Sequence, residues 1–307
     1  MFFFGPTGGG ETSVDNTYDL TNPRFRVKIK VERTGEVLMP HYMSSREEKI
    51  EATRRMNLFS NLFMSVVLED KDACAYVLRV LTGIPTLNVL DVKTQYRANH
   101  VIARDVIFDV LAQDETGKLY NIEIQRKDTL DHPRRVALYI AELITEFMEK
   151  GSPVDDTPEV YVFYLSETDI LKTAKTISWV EKQLAGKEYD DGVHIAFANA
   201  EIDDGSDVAG MMQFFKRADP EDQSQGALSR RVYMMKREKE GEVLMCKISD
   251  SFVQEGRVLK TLEDIIKITA KMKMTDEEAM DLLDVEEKDR PLYAAYVKEM
   301  RQEMAMA

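Results

Sequence analysis

The 307-residue sequence has few of the residues that mark the common cofactor and secretory sites. Its two cysteines, Cys74 and Cys246, show no CxxC spacing, so we expect buried thiols rather than a zinc site or a disulfide framework. It has four histidines without an HExxH pattern, and it lacks GxxxxGK[ST] and GxGxxG, which argues against a nucleotide-binding enzyme. No run approaches the roughly 20 apolar residues that span a bilayer. We therefore expect no membrane contact and, by default, a cytoplasmic location.

Acidic residues outnumber basic ones, with 55 Asp and Glu against 41 Lys and Arg and a net charge of -14. A negative surface repels nucleic-acid phosphate at long range. Any nucleic-acid binding must therefore depend on a locally basic surface. The hydrophobic content of 44% is sufficient for an ordinary globular core.

The periodicity of the chain divides it into five segments. We predict a loose leader at 1–23, an N-terminal hairpin extension at 24–56, a core at 57–170, an α/β completion of that core at 171–256, and a helical C-terminal arm at 257–307. The leader is rich in Gly, Thr and Asn and has no periodicity, so we expect it to be poorly ordered.

The hairpin extension begins with a strictly alternating stretch, RFRVKIKV, before a turn at Thr34-Gly35. One face of this predicted strand carries only basic residues: Arg24, Arg26, Lys28 and Lys30. They suit an edge strand whose charges deter aggregation. They also suit a patch for a phosphate backbone, and the pattern alone leaves both interpretations open.

The core segment has the order helix, three strands, helix, strand. Helical spacing at 57–82 predicts one long helix or two short ones, and strands follow at 87–96, 105–113 and 118–125. Asp131-His132-Pro133 then opens a helix that ends just before Gly151, and a strand follows at 159–166. The second and third strands form a hairpin around Asp114-Glu115-Thr116-Gly117.

Beyond residue 170 the pattern weakens. We predict a helix containing Trp179, a strand at 193–202, and helices near 207–217 and 226–240. The tail has two amphipathic pieces, and Thr275 with Glu278 fits a capping box at the start of the second. The two pieces fit either a helix-turn-helix DNA reader or a packing arm, and the acidic second piece favours the packing arm.

The predicted hairpin carries one acidic residue on each strand. Two-residue alternation places Asp109 with Ile107 and Leu111, and it places Glu123 with Asn121 and Gln125. A carboxylate within an apolar strand loses hydration unless something pairs with it. A magnesium ion could supply that partner, since Mg²⁺ accepts two carboxylates and a backbone carbonyl while keeping waters. The alternative is a purely structural role, in which Asp109 pairs with Arg104 or Arg126 and Glu123 is exposed.

The element order and three stretches together resemble the PD-(D/E)xK nuclease superfamily, in its recombination-promoting nuclease and transposase branch. The stretches are RDVIFDVLAQDETGKLYNIEIQ, PRRVALYIAELITEFMEKG and VYVFYL. The resemblance implies an α/β, restriction-endonuclease-like αβββαβ core with a mixed central sheet. It also implies that Asp109, Glu123 and the carbonyl of Ile124 bind Mg²⁺ or Mn²⁺, and that Gln125 replaces the usual Lys. An Asp is common in the family where this chain has Asn61, so Glu69 is the candidate supporting acid.

The helix after the hairpin supplies further candidates. Arg134 and Arg135 lie at its amino terminus, which favours phosphate, and Arg104 joins them as a candidate nucleic-acid contact. A solvated pair bonding to nearby acids is an equal alternative for Arg134 and Arg135. Tyr139 is expected to support the site by packing the helix on the sheet, and His132 to cap the helix rather than act as a base.

The first functional hypothesis is a Mg²⁺-dependent DNA endonuclease, transposase-like and recombination-promoting. A catalytically inactive relative that binds DNA or a protein is the alternative, favoured by the net charge, Asn61 and Gln125. An RNA substrate would use the same residues. A homodimer stays an open alternative for the assembly.

Overall fold

The computed structural model of the protein describes residues 45–98, 106–125, 132–148 and 151–306. Its helices are α1 (Arg46–Arg55), α2 (Asn61–Leu68), α3 (Lys71–Thr82), α4 (His132–Phe147), α5 (Asp207–Arg217), α6 (Gly226–Arg237), α7 (Lys239–Met272), α8 (Asp276–Leu282) and α9 (Arg290–Met306). Its strands are β1 (Val89–Ala98), β2 (Val106–Asp114), β3 (Leu119–Gln125), β4 (Val160–Ser166), β5 (Ile177–Trp179), β6 (Gln183–Leu184), β7 (Lys187–Glu188) and β8 (Val193–Asn199).

Some predictions lie outside the described residues. These are the leader at 1–23, the hairpin predicted from residue 24, and the basic candidates Arg24, Arg26, Lys28, Lys30 and Arg104. The end of the predicted hairpin extension is described, and it is the helix α1, which the sequence did not predict. Ser45 and Glu48 form a capping box at its start, so its beginning is locally encoded.

The central sheet has six strands in the order β1-β2-β3-β4-β8-β5. The first three strands are antiparallel, β3, β4 and β8 are parallel, and β5 returns antiparallel to β8. The order α3, β1, β2, β3, α4, β4 confirms the predicted αβββαβ core, and the mixed sheet confirms the predicted fold class. The parallel pair β3–β4 is joined through α4, as a parallel connection requires.

Helices α2 and α3 show how local signals set the boundaries. The helical stretch that was predicted as one long helix or two short ones is two helices, and Asp70 between them accepts a hydrogen bond from the Ala73 amide as the cap of α3. Gly83 ends α3 in the left-handed conformation, with φ 70°, which glycine adopts without a steric penalty.

Two apolar cores cover the two faces of the sheet. The large core packs α2, α3, α5 and α6 on one face, with Phe63, Val77, Ile122, Phe163 and Phe214 among its buried residues. The α4 core packs α4 on the other face, with Phe108, Leu111, Val136, Tyr139, Leu143, Val162 and Tyr164. Cys74 is fully buried in the large core as predicted, whereas Cys246 is only half-buried.

The prediction of a helix around Trp179 is wrong. Residues Ile177–Trp179 form the edge strand β5, which pairs with β8 through Ser178 and Phe197. β-branched and aromatic residues favour strands, and Trp179 packs edge-on against Phe163 with ring centroids 5.7 Å apart. The pairing with β8 therefore decides the conformation of a segment whose local helical signal was weak.

The C-terminal region is helical, as predicted. Its capping box is confirmed, because the Glu278 amide donates to Thr275 and the Thr275 amide donates to Glu278. However, α7 runs without a break across the segment boundary predicted at 256/257. The later part of α7 packs with α8 and α9 around a third, C-terminal core of Leu262, Ile265, Ala279, Met280, Val285 and Val297. Within the described residues, no helix is both long and apolar enough to cross a membrane.

Candidate active site

The two candidate carboxylates lie where the β2–β3 ladder ends. Paired residues of this hairpin extend to Val110 and Ile122. One position further, the Asp109 amide donates to the Glu123 Oε1 atom at 3.2 Å, and the Ile124 amide donates to the Asp109 Oδ2 atom at 2.9 Å. Each carboxylate thus accepts a bond from the backbone of the other strand. The structure brings Asp109 and Glu123 together through these reciprocal bonds.

A third strand contributes Gln95, which the sequence did not single out. Thr94 pairs with Val110 and Tyr96 with Phe108, so Gln95 lies opposite Asp109. Its Nε2 atom donates to Asp109 Oδ1 at 3.2 Å. Its backbone is left-handed, with φ 51°, which is uncommon for a residue with a side chain. Only the strand register reveals this contact, because a Gln within a strand pattern carries no signal of its own.

Strand β2 changes faces at Asp109. Alternation predicted Phe108 and Val110 on one face, but Phe108 packs in the α4 core while Val110 packs in the large core. Leu111 lies in the α4 core. The alternation therefore breaks next to Asp109, where the ladder with β3 ends and Gln95 interrupts the partner strand. The prediction that Phe108 shares the face of Val110 is therefore wrong.

Strand β3 keeps its alternation. Tyr120, Ile122 and Ile124 lie in the large core, as predicted. Glu123 is buried, with 4% of its surface exposed, and it lies on the α4 side, where Tyr139 hydrogen-bonds to it. The exposed Glu123 that the purely structural alternative predicted is therefore wrong. Asp109 is half-buried.

Tyr139 contacts the pair from α4. Its ring packs against Phe108 with centroids 5.6 Å apart, as the packing role predicted. Its side chain also hydrogen-bonds to Glu123. Burial raises the pKa of the Tyr139 phenol far above its usual value, and the nearby Glu123 and Asp109 charges raise it further, while Arg135 acts in the opposite direction. The hydroxyl is therefore protonated and can donate to the carboxylate.

The first residue of α4 is also close to this region. Tyr164 pairs with Glu123 across the β3–β4 ladder, and the His132 Nδ1 atom lies 2.7 Å from the Tyr164 hydroxyl. The two rings meet edge to face at 5.0 Å, and both residues are buried. The His132 side chain thus contacts the sheet as well as beginning the helix.

Gln125 ends β3 beside other polar side chains. It pairs with Ser166, which pairs with Asn199, so three parallel strands end in buried polar residues. Ser166 and Asn199 bond to nearby backbone groups, as in the contact between the Ser166 hydroxyl and the Thr168 carbonyl at 2.7 Å. Gln125 keeps 7% of its surface exposed. Its neighbours on β4 and β8 are therefore structural.

The other candidate residues differ in their burial and in their distance along the fold from the carboxylate pair. Arg135 is half-buried, and its charge reaches Tyr139, whereas Arg134 is exposed on α4. Glu69 is exposed at the end of α2, in the helical layer of the large core, and its charge acts on Arg231. The described contacts do not connect Glu69 with Asp109 or Glu123. The structure therefore gives no support to the supporting role predicted for Glu69.

The donor set suits a hard cation. Among the described residues, no group of three or more His, Cys, Asp and Glu side chains comes together in a way that could hold a metal. The pair Asp109 and Glu123 is thus a two-carboxylate arrangement of oxygen atoms. Mg²⁺ is typically held by one or two carboxylates and retains several waters, so these residues fit it better than zinc, which prefers sulfur and nitrogen.

Comparison with known proteins agrees with this geometry. Residues 83–201 match the sequence model of a family described as PD-(D/E)XK nuclease family transposase. The matched segment contains all six strands of the central sheet and α4. We find no significant match among curated proteins or among solved structures. Over residues 83–201, the chain is therefore similar to the PD-(D/E)XK nuclease family transposases.

Proposed function

We propose that the protein is a metal-dependent nuclease that hydrolyses phosphodiester bonds in DNA. One observation carries the proposal: two carboxylates on neighbouring strands are held together by reciprocal bonds within a segment that matches a nuclease family. In this function, Asp109 and Glu123 hold Mg²⁺ or Mn²⁺, with the Ile124 carbonyl as a further ligand. A transposase-like role in recombination agrees with the family description.

The chemistry of the ion and of the chain can be separated. A bound divalent ion polarises a phosphoryl oxygen and makes a coordinated water more acidic. The chain supplies the orientation of the two ligands, since each carboxylate is fixed by an amide of the opposite strand. Gln125, where the superfamily usually has Lys, positions the attacking water or the phosphate by hydrogen bonds. A neutral amide cannot supply the positive charge of an ammonium group.

In this proposal, the start of α4 binds the phosphates of the nucleic acid. A helix amino terminus carries partial positive charge, and Arg134 and Arg135 add two full charges there. Local basic groups are needed because the whole chain has a net charge of -14. The basic residues at 24–30 and Arg104 remain candidates for the same role.

The test measures cleavage of plasmid DNA in the presence of Mg²⁺ or Mn²⁺. We expect Asp109→Asn and Glu123→Gln to reduce the rate by about a hundredfold or more, because a metal ligand contributes several kcal/mol to the transition state. Glu115→Gln is the matched control, since it removes one carboxylate charge from an exposed position of the same hairpin. Equal cleavage by the wild type and both site variants would indicate a contaminating nuclease and refute the proposal.

A non-catalytic DNA-binding or protein-binding relative is the second candidate, and Gln125 favours it because the usual Lys is missing. Calorimetric titrations with Mg²⁺ and with Mn²⁺, together with a cleavage assay on DNA and RNA, separate the two functions. Metal binding with cleavage supports the nuclease and identifies its substrate. A wild-type protein that binds neither metal ion supports the non-catalytic relative.

A further inference from the structure

The hydroxyl of Tyr139 occupies a position that ordinary packing does not require. Its ring fills the α4 core against Phe108, and a phenylalanine ring would fill the same space. The hydroxyl instead hydrogen-bonds to Glu123, a buried carboxylate on the neighbouring strand face. Tyr139 is 4% exposed, so the bond is shielded from water. A hydrogen bond from a buried donor to a charged acceptor is stronger than a neutral one.

The position of α4 fixes this hydroxyl. Along the helix, His132 contacts Tyr164 on β4, Tyr139 contacts Phe108 on β2, and Glu146 contacts Tyr96 on β1. The helix is thus attached to three strands, and Tyr139 lies between its two outer attachments. Its side chain cannot move away from Glu123 without disturbing a buried core. The donor is therefore preorganised.

The two carboxylates are oriented by four donors, which lie on β1, β2, β3 and α4. Asp109 accepts from the Ile124 amide and from Gln95, and Glu123 accepts from the Asp109 amide and from Tyr139. A carboxylate has about four lone-pair sites, so it can accept several hydrogen bonds and a cation at the same time. Removing a group that orients a metal ligand in this way commonly lowers metal affinity by about 10–100-fold.

We propose that Tyr139 is a positioning residue of the metal site, whose hydroxyl holds the Glu123 carboxylate in the orientation that binds the divalent ion. The inference rests on the proposed function, because it requires Glu123 to be a metal ligand. It adds to that function a specific donor on α4. The sequence assigned Tyr139 only a packing role.

The chain offers a matched control in a second tyrosine–glutamate bond, between β1 and α4. The Tyr96 hydroxyl on β1 donates to the Glu146 carboxylate on α4 at 2.5 Å. Like the bond from Tyr139 to Glu123, it joins a tyrosine to a glutamate between α4 and the sheet. Tyr96 packs against the same Phe108 ring at 6.4 Å. Glu146, however, is not a proposed metal ligand. Tyr96→Phe therefore removes a similar bond from the same packing layer without touching the Glu123 carboxylate.

The experiment is calorimetric titration of the full-length wild type, Tyr139→Phe and Tyr96→Phe with Mn²⁺. We expect Tyr139→Phe to weaken Mn²⁺ binding by about tenfold or more, and Tyr96→Phe to leave the dissociation constant unchanged. Thermal melting of the metal-free proteins checks folding, and both variants should melt cooperatively because each keeps its ring. The increase in melting temperature on adding Mn²⁺ provides a second readout, and it should shrink only in Tyr139→Phe.

The outcomes are distinguishable. Equal Mn²⁺ affinity of the wild type and Tyr139→Phe overturns the positioning role and leaves the proposed function intact. Equal weakening in both variants overturns it too, since the effect would then come from general loosening of α4. A wild type that does not bind Mn²⁺ overturns both the proposed function and the inference.

Discussion

At the scale of single residues, the two carboxylates have a structural role besides the chemical role proposed for them. The backbone amides of Asp109 and Ile124 find their acceptors in the side chains of Glu123 and Asp109. Removing a carboxylate altogether leaves a donor without its acceptor, which costs about 1–3 kcal/mol if the group is buried. Alanine at either position therefore mixes lost metal binding with lost stability. Asparagine and glutamine keep an acceptor oxygen and separate the two effects.

Asn121 lies two residues before Glu123 on the same strand face, and it is fully buried. Neither polar atom of its side chain has a hydrogen-bond partner among the described residues. Its cross-strand neighbours are Leu111 and Val162, both apolar. Burying an unsatisfied amide costs about 1–3 kcal/mol. Asn121→Leu, with a side chain of similar shape, should therefore raise the free energy of unfolding by about 1 kcal/mol or more, measured by urea denaturation.

The control for this prediction is Asn199→Leu, at a buried asparagine whose side chain is satisfied by backbone groups on both sides, including the Lys175 carbonyl and the Ile202 amide. That substitution should destabilise the protein. A loss of stability in Asn121→Leu as well would show that the Asn121 amide has a partner, such as an ordered water.

At the scale of elements, the sequence predicts best where local periodicity and pairing agree. The alternation of β3 sets which side chains share the face of Glu123, because a regular strand has a period of two. The alternation of β2 fails at Asp109, since a left-handed Gln95 on β1 and the end of the β3 ladder determine the face there. Neither cause is visible within β2 itself. The prediction of a helix at β5 is wrong for a similar reason, because the strand conformation of this segment depends on its pairing with β8.

The contact between Tyr139 and Glu123 was also beyond the sequence. Helical spacing predicts that Tyr139 faces the sheet, and resemblance implies that Glu123 belongs to the site. The bond between them depends on how α4 crosses the strands, and that crossing is set by contacts at both ends of the helix. Tertiary packing therefore supplies the part of the site that periodicity cannot.

Lys236 on α6 joins three helical segments. It is buried, and its Nζ atom donates to the carbonyls of Arg54, Met56 and Ala218 at 3.2, 2.6 and 2.8 Å. Arg54 and Met56 lie at the end of α1, and Ala218 caps α5. Burial lowers the pKa of Lys236 from 10.5 to about 8. The nearby Asp219 charge acts in the opposite direction and raises the pKa of Lys236, while the Arg237 charge lowers it further.

This lowered pKa predicts a pH dependence of stability. Between about pH 8 and pH 10.5 the folded state has released the proton, while the unfolded chain still binds it. Stability increases with pH wherever the unfolded state binds more protons. The wild type should therefore gain unfolding free energy relative to Lys236→Met as the pH rises through this window, by up to about 1.4 kcal/mol per pH unit.

Urea denaturation of the two proteins at pH 7, 8, 9 and 10 measures this difference. It should stay constant between pH 7 and 8, where both states keep the proton, and change above pH 8. A difference that is flat up to pH 10 would show that the three carbonyls hold the Lys236 ammonium charged in the folded protein.

At the scale of the whole molecule, the segment that matches the nuclease family does not contain the elements that cover both faces of its sheet. Residues 83–201 include α4, which covers one face. The other face is covered by α2 and α3, which come before the match, and by α5 and α6, which follow it. A sheet face that buries this many apolar residues needs its helices to avoid exposing them to water. The matched segment and its flanking helices therefore form one folding unit.

The C-terminal core forms a second unit, connected to the first through α7. Ile265 is fully buried in the C-terminal core, and Leu143, four residues after Tyr139 on α4, is fully buried in the α4 core. Truncating either to alanine removes buried methyl groups and costs about 2–5 kcal/mol. Local unfolding free energies differ between such units. Ile265→Ala should therefore speed amide hydrogen exchange in α8, α9 and the later part of α7, while β2 and β3 keep wild-type rates.

Leu143→Ala is the reciprocal variant and should have the opposite pattern, with faster exchange in α4, β2 and β3 and unchanged exchange in α8 and α9. Hydrogen exchange followed by mass spectrometry resolves these segments. Because Asp109 and Glu123 lie on β2 and β3, Mn²⁺ affinity should fall in Leu143→Ala and not in Ile265→Ala. Faster exchange of β2 and β3 in Ile265→Ala, to the same extent as in α8, would instead show that the long helix α7 couples the two cores into a single cooperative structure.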